Sequence, residues 1–205
     1  MEIKASNIAV MASGKGSNLQ VLLDAIKSGA CPGQVALVIC NKADSHALTI
    51  AKDAGVQQVL FIDPKAYANR EAYDAACAQA IEDAACAWIV LAGYMRILSA
   101  DFVSRFAGRI INIHPSLLPA FVGGDAVGDA LKHGVKVAGC TVHLVTEDLD
   151  GGPILAQASV PVLEDDDWQT LHARIQLEEH KIYPQTVAKL LSQSFTVEGR
   201  RVRWL

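Results

Sequence analysis

"NIAVMASGKGSNLQVLLDAIKSG", residues 7–29, decides the fold. Ile8 to Ala12 form an unbroken apolar run, the pattern of a strand buried on both faces of a parallel sheet. The run stops at Ser13-Gly14-Lys15-Gly16. After it Leu19, Leu22, Leu23 and Ile26 recur at helical spacing up to a terminal Gly29. Strand, glycine turn and helix are the opening of a βαβ unit. The same grammar continues. "QVALVIC" (34–40), "VQQVLFI" (56–62), "AWIVLAG" (87–93) and "GRIINIH" (108–114) read as strands, and "SHALTIAKDAG" (45–55) and "NREAYDAACAQAIEDAA" (69–85) as helices. The expected fold class is therefore α/β, a doubly wound, mostly parallel, Rossmann-like sheet.

The second half changes character. "VKVAGCTVHLVT" (135–146) and "ILAQASVPV" (154–162) follow one another without a long helix between them, so they are expected as antiparallel strands added to the sheet. "DWQTLHARIQLEEHKIYPQTVAKLLSQ" (167–193) reads as a long helix, bent or broken near Pro184, and "FTVEGRRVRW" (195–204) as a terminal hairpin. There is no repeat, low-complexity tract or linker, so residues 1–205 are expected to form one domain, with a βα half at 1–108 and a second half at 109–205.

The chain carries 51% hydrophobic and 20% charged residues at a net charge of −4, a globular balance without the basic footprint of a nucleic-acid binder. A chain of 205 residues can bury roughly 70% of its unfolded surface. Cys31, Cys40, Cys77, Cys86 and Cys140 include no CxxC pair, and they are expected as reduced, mostly buried thiols without a structural zinc. No signal-peptide pattern and no long apolar run is present, so a cytoplasmic protein that meets neither membrane nor nucleic acid is expected.

In "MASGKGSNLQ", Gly14 and Gly16 permit a tight turn and a close ligand, while Ser17 and Asn18 open the helix, where free amides favour an anion. The loop is no dinucleotide fingerprint, because GxGxxG needs glycine where Leu19 stands and the second strand ends in Cys40-Asn41-Lys42 without the acid that holds a ribose. Nor is it a P-loop. Two readings stand: a phosphate site for a mononucleotide, or a turn that binds nothing.

In "RIINIHPSLLPAF" (109–121), Asn112 and His114 share one face of a strand, at the carboxyl end where open α/β sheets hold ligands. Pro115 keeps His114 extended and stops the strand. An amide beside an imidazole can hold and protonate a developing oxyanion. The same pair also suits a histidine satisfied by backbone with an asparagine at a sheet edge. Asp150 in "TEDLDGGPI" (146–154) would favour a charged His114 if the fold brings them together; otherwise Asp-Gly is an ordinary turn. His143 reads as structural, Cys140 as a small core residue, and His46, His133, His172 and His180 receive no chemistry.

"GKGSN", "LAGYMRIL", "NIHPSLLP", "GCTVH", "DLDGGPI" and "EEHKIYP" occur in the order and spacing of the phosphoribosylglycinamide formyltransferases, a folate-dependent purine-pathway family that the chain resembles from end to end. The resemblance implies formyl transfer from 10-formyltetrahydrofolate, as co-substrate, to 5-phosphoribosylglycinamide, without a metal. It implies Asn112, His114 and Asp150 as the catalytic trio, and Gly16, Ser17 and Asn18 as the phosphate loop. Gln176 and Glu179 are implied as further ribonucleotide contacts. Arg70, Met95, Arg96, Ile97, Leu98, Asn112 and Thr146, Glu147, Asp148, Leu149 and Asp150 are implied around the folate. "HPSLLP" alone is shared with formyltetrahydrofolate hydrolase and other formyltransferases, which leaves those as the alternative. A non-catalytic nucleotide-binding module is a further alternative, and a nicotinamide oxidoreductase is disfavoured by Leu19. The chain departs from the family at "AFVGGDAVGDAL", where Gly124 and Gly128 replace larger residues. Extra glycine weakens a helix start by up to about 1 kcal/mol per site, so a mobile loop and weaker folate binding are expected there.

Overall fold

β1 (Lys4–Ala12) occupies the middle of a sheet in the order β3-β2-β1-β4-β5-β6-β7; the computed structural model describes residues 4–205. Its apolar run delivers side chains to both faces. Ile8, Val10 and Ala12 pack with Leu19 and Leu22 of α1 (Ser17–Lys27), Ala47 and Ala51 of α2 (His46–Asp53), and Leu171, Ile175 and Tyr183 of α6 (Trp168–Ser192). Ala9 and Met11 pack on the other face, with Tyr73, Cys77 and Ile81 of α3 (Arg70–Asp83) and with Phe102 and Phe106 in and after α4 (Ala100–Arg105). Fully burying one such branched or aromatic side chain contributes about 1.5–3 kcal/mol, so the two-sided strand is the main hydrophobic anchor of the fold.

β2 (Gln34–Cys40), β3 (Gln58–Phe61), β4 (Cys86–Leu91) and β5 (Ile110–His114) run parallel to β1, each reached from the strand before it in the chain through a helical crossover. β6 (Val137–Leu144) then pairs antiparallel with β5, and β7 (Ile154–Pro161) antiparallel with β6. This is the doubly wound, mostly parallel sheet with antiparallel additions that the alternating pattern implied. The strand order reverses between β1 and β4, which opens a crevice at their carboxyl ends. β8 (Phe195–Glu198) and β9 (Arg201–Trp204) form the terminal hairpin, with Phe195 packed between Trp88 and Trp204. No described helix is long and apolar enough to cross a membrane. All five cysteines are buried and free.

Two elements differ from the sequence expectation. α4 was not anticipated, because six residues are too few for a helical period to declare itself. It exists because Ser99 caps it by accepting the Phe102 N–H and because Phe102 and Phe106 bury together, ring centroids 4.9 Å apart. α6 is not broken at Pro184 but runs for 25 residues. The fully buried Tyr183 pins it to the sheet, its hydroxyl donating to the Leu91 carbonyl at 2.9 Å, and Thr186 Oγ1 donates to the Ile182 carbonyl beside the proline. Packing on both sides of Pro184 thus outweighs the hydrogen bond that a proline deletes. A capping box between Asp167 and Thr170 fixes its start.

The turn that follows β5 is held by one hydroxyl. Thr141 Oγ1 on β6 accepts the Leu118 N–H at 3.0 Å and the Gln157 amide at 2.9 Å, and donates to the Ser116 carbonyl at 2.7 Å. The residue is wholly buried. Thr141→Val keeps the volume and removes the partner of the Leu118 N–H and of the Ser116 carbonyl, while the Gln157 amide keeps its bond to the Leu118 carbonyl. It is expected to cost about 2–4 kcal/mol, read as a lower urea midpoint at unchanged m-value.

Candidate active site

The glycine loop closes the crevice between β1 and β4. Gly16 stands before α1 at φ 76°, and a Cβ there would lie 2.9 Å from the Ala47 Cα, so backbone conformation and space both demand glycine. α2 braces the loop from outside, with Ser45 Oγ and the Ala47 N–H both donating to the Gly14 carbonyl. No side chain caps the start of α1, which leaves its amides open to a ligand. The loop borders a cleft of about 280 Å³ that reaches Gly93 and Met95 after β4, Ile113 and Pro115 at the end of β5, and Gln176 and Glu179 on α6.

Gly16, Ser17, Asn18, Gln176 and Glu179 therefore meet at one place, with Asn18 and Glu179 bonded across 161 residues of chain. Gln176 Nε2 donates to Ser17 Oγ at 3.1 Å, and Asn18 Nδ2 donates to Glu179 Oε2 at 3.0 Å. That second bond fixes the Asn18 amide so that its Oδ1, buried, has no partner. Beside it, burial pushes the Glu179 carboxyl above its ordinary value, with the Asn18 amide and the charge of His114 pulling the other way. An orphaned acceptor next to a desolvated carboxyl is a place for a ligand N–H or O–H donor.

Asn112 and His114 leave β5 on one face, at a position inside the sheet rather than at its edge. Asp150 comes to them through the 145–153 loop. Its carboxylate lies 3.5 Å from His114 Nδ1 and 3.6 Å from His143 Nε2, is 9% exposed, and accepts the Gly123 N–H at 3.1 Å. His114 Nε2 donates to the Phe121 carbonyl at 2.8 Å. The other ring nitrogen, Nδ1, faces the Asp150 carboxylate. The structure thus joins all three residues of the expected trio.

His143 does more than the structural part assigned to it from sequence. Its Nδ1 donates to the Leu144 carbonyl at 2.9 Å, which leaves Nε2 as an acceptor, and Asn112 Nδ2 donates to it at 3.2 Å. Burial is the largest influence on this ring and lowers its proton affinity, so it stays neutral and keeps that lone pair. The bond orients the Asn112 amide and leaves its second N–H free. Alternation in "GCTVHLV" placed His143 on a face but could not say which strand it would meet. Cys140 is the core residue expected, its thiol pushed up to about 12 by burial.

The residues expected around a folate divide. Met95, Ile97 and Leu149 are exposed apolar side chains, and Leu98 is half-buried against the α3–α4 side of the core. The Arg96 guanidinium lies over the Tyr73 ring at 4.8 Å, and its Nε is buried without a partner. Thr146 Oγ1 reaches the Asp148 carbonyl at 3.4 Å, and Glu147 is exposed in the same loop. Arg70 does not join the trio: its guanidinium bonds to Glu71 next to it on α3. The glycine-rich loop is also more tied down than its composition suggested. Asp125 accepts the Gly128 N–H and the Trp168 Nε1–H, and a Cβ at 128 would overlap that carboxylate. Gly124 has open space around it.

A fold of this order has known counterparts. Residues 6–187 match the family model described as formyl transferase. The chain is 46% identical over 182 residues to the phosphoribosylglycinamide formyltransferase of Escherichia coli K12, covering 89% of this chain and 85% of that protein. It is 42% identical over its whole length to the human trifunctional purine biosynthetic protein adenosine-3, of which it spans only 20%. Among solved structures it resembles glycinamide ribonucleotide transformylase 1 from Symbiobacterium toebii, with a TM-score of 0.94 and 49% identity over 97% of this chain and 93% of that one. The chain belongs to the formyl transferase family. Its curated relatives of similar length are phosphoribosylglycinamide formyltransferases.

Glu179 gives the cleft a measurable pH signature. The unfolded chain loses that proton at the ordinary carboxylate pH, and the native protein only above it. Stability therefore falls as pH rises from the ordinary value through the raised one. Glu179→Gln is expected to flatten that segment of the profile and to stabilise the protein above it, by on the order of 1 kcal/mol. Urea unfolding across a pH series checks it; a profile identical to wild type contradicts the assignment.

Proposed function

We propose that the chain transfers the formyl group of 10-formyltetrahydrofolate to the amine of 5-phosphoribosylglycinamide, in the cytoplasm and as a step of purine synthesis. The observation that carries this reading is the single cleft in which an open helix start, the Asn18–Glu179 acceptor pair and the tip of β5 converge. The phosphate sits on the amides of Gly16, Ser17 and Asn18, where the helix start favours an anion. Gln176 and Glu179 hold the rest of the ribonucleotide. The exposed Met95, Ile97 and Leu149, with Arg96 and the 146–150 loop, supply an apolar wall for the folate ring system. Arg70, exposed on α3, is assigned to the acidic end of the folate.

The substrate amine attacks the formyl carbon directly and a tetrahedral oxyanion forms. The Asn112 amide and the His114 imidazolium stabilise that oxygen. The carbon–N10 bond then breaks, the formyl group stays on the amine, and the amine proton passes to N10, relayed by Asp150 through water. No enzyme nucleophile is needed, and the burial of Cys140 removes the nearest thiol from consideration. Holding both substrates in register supplies much of the rate.

A spectrophotometric assay of tetrahydrofolate release, with and without the ribonucleotide, tests this. Turnover should require the ribonucleotide and fall at least about 100-fold in Asp150→Asn. Turnover without the ribonucleotide would instead indicate a formyltetrahydrofolate hydrolase. Binding of both compounds without turnover would indicate a nucleotide-binding module.

A further inference from the structure

The face of α6 that carries Gln176 and Glu179 continues one turn toward the helix start with His172. Residues 172, 176 and 179 follow the i, i+4, i+7 spacing of a single stripe, and all three line the cleft. The His172 ring is held in place. It lies flat on the Trp168 indole, centroids 4.6 Å apart and planes inclined by 13°, and Trp168 Nε1 donates to Asp125 Oδ1 at 2.9 Å. Asp125 is fixed in turn as the cap of α5 (Ala126–Lys132). Lys15 and Lys42 line the same cleft.

We propose that His172 is the pH-responsive member of the phosphate subsite: its imidazole takes up a proton as a phosphomonoester dianion enters and, with Lys15 and Lys42, supplies the positive charge that backbone amides alone do not. The proposal rests on the ribonucleotide reading of the cleft and names the group that sets its pH response. The need for it is a matter of charge. A helix start offers the equivalent of about half a charge, whereas a phosphomonoester carries about −1.5 to −2 near neutral pH. Gln176, which touches Ser17, is neutral, and the whole chain is at −4.

In the empty cleft, burial and then the charge of Lys15 hold the imidazole below its ordinary value, so it is neutral at pH 7. A dianion in the cleft reverses that balance. The remaining charges around the ring do not replace it. Glu179 lies two turns along the stripe, its carboxyl raised above the ordinary value by burial. Asp125 is beyond the indole. At the helix start Asp166 is committed to Arg174 and Asp167 to its cap. α5, packed beside α6, carries Asp129 and Lys132 of opposite sign, while α1 has no acid in its first turn and β7 has no titratable residue. β6 contributes only Cys140 and His143, buried in the sheet.

Calorimetric titration with ribose 5-phosphate between pH 6.5 and 8.5, in buffers of different ionisation enthalpy, tests the proposal. The phosphate is mainly a dianion throughout this range. Wild type should take up a fraction of a proton on binding at pH 7, and its affinity should fall about fivefold more over the range than that of His172→Gln. His172→Gln should take up none. His172→Lys, charged throughout, should retain the tighter affinity at pH 8.5 without uptake. Equal proton uptake and equal pH profiles in wild type and His172→Gln overturn the proposal. If formyl transfer nevertheless requires the ribonucleotide, only this proposal falls. If ribose 5-phosphate does not bind at all, the ribonucleotide reading falls with it.

Discussion

One nearly buried carboxylate between two imidazoles holds the carboxyl end of β5 and its loops together. Asp150 is 9% exposed and sits 3.5 Å from His114 and 3.6 Å from His143, at a backbone φ of 50°. Burying a carboxylate is costly unless it is bonded and paired. The Gly123 N–H and the His114 ring beside it answer that cost together. Four segments must arrive at this point: the tip of β5, the adjoining part of β6, the 121–124 loop and the 145–153 loop. The last can make its turn only because Gly152 has no side chain, since a Cβ there would collide with the Leu144 carbonyl. The two histidines around one acid differ through their other partners. His143 spends its Nδ1 proton on Leu144 and accepts from Asn112, whereas His114 donates to Phe121.

The glycine-loop end depends on a different constraint, the reversal of strand order between β1 and β4. It leaves the glycine loop facing a gap rather than a neighbouring crossover. α6 then closes the gap from the far end of the chain, bringing Gln176 and Glu179 onto Ser17 and Asn18. The two ends communicate through short links. The Ser13 N–H donates to the Gly93 carbonyl, and the Met95 N–H donates to Ser13 Oγ, so the loop that would hold a phosphate and the wall that would hold a folate share a residue.

Much of this was legible in the sequence, for physical reasons. Long strands buried on both faces leave unbroken apolar runs, so β1, β2 and β5 could be read, and a glycine pair between strand and helix marks a ligand turn. Asn112 and His114 could be assigned a common face because alternation in a strand is strict. Asp150 could not be placed beside them without the fold, because nothing local ties residue 150 to residue 114. Short elements and shared hydrogen bonds were illegible: α4 is too brief to show a period, and Gly128 looked like a loosened helix start although it makes room for the Asp125 cap. Pro184 looked like a helix breaker because the sequence does not reveal that Tyr183 is fastened to two strands. His172 had a local signal, its spacing from Gln176 and Glu179, which acquires meaning only once Lys15 and Lys42 line the same cleft.

The account turns on the division of labour between the two histidines around Asp150, and ring-nitrogen NMR of the free protein, labelled with ¹⁵N in its histidines, measures it at pH 7. His143 should be neutral with its proton on Nδ1, and His114 should carry a proton on Nε2. A proton on His143 Nε2, in either the neutral or the charged ring, would leave the Asn112 amide without its acceptor and would contradict the arrangement.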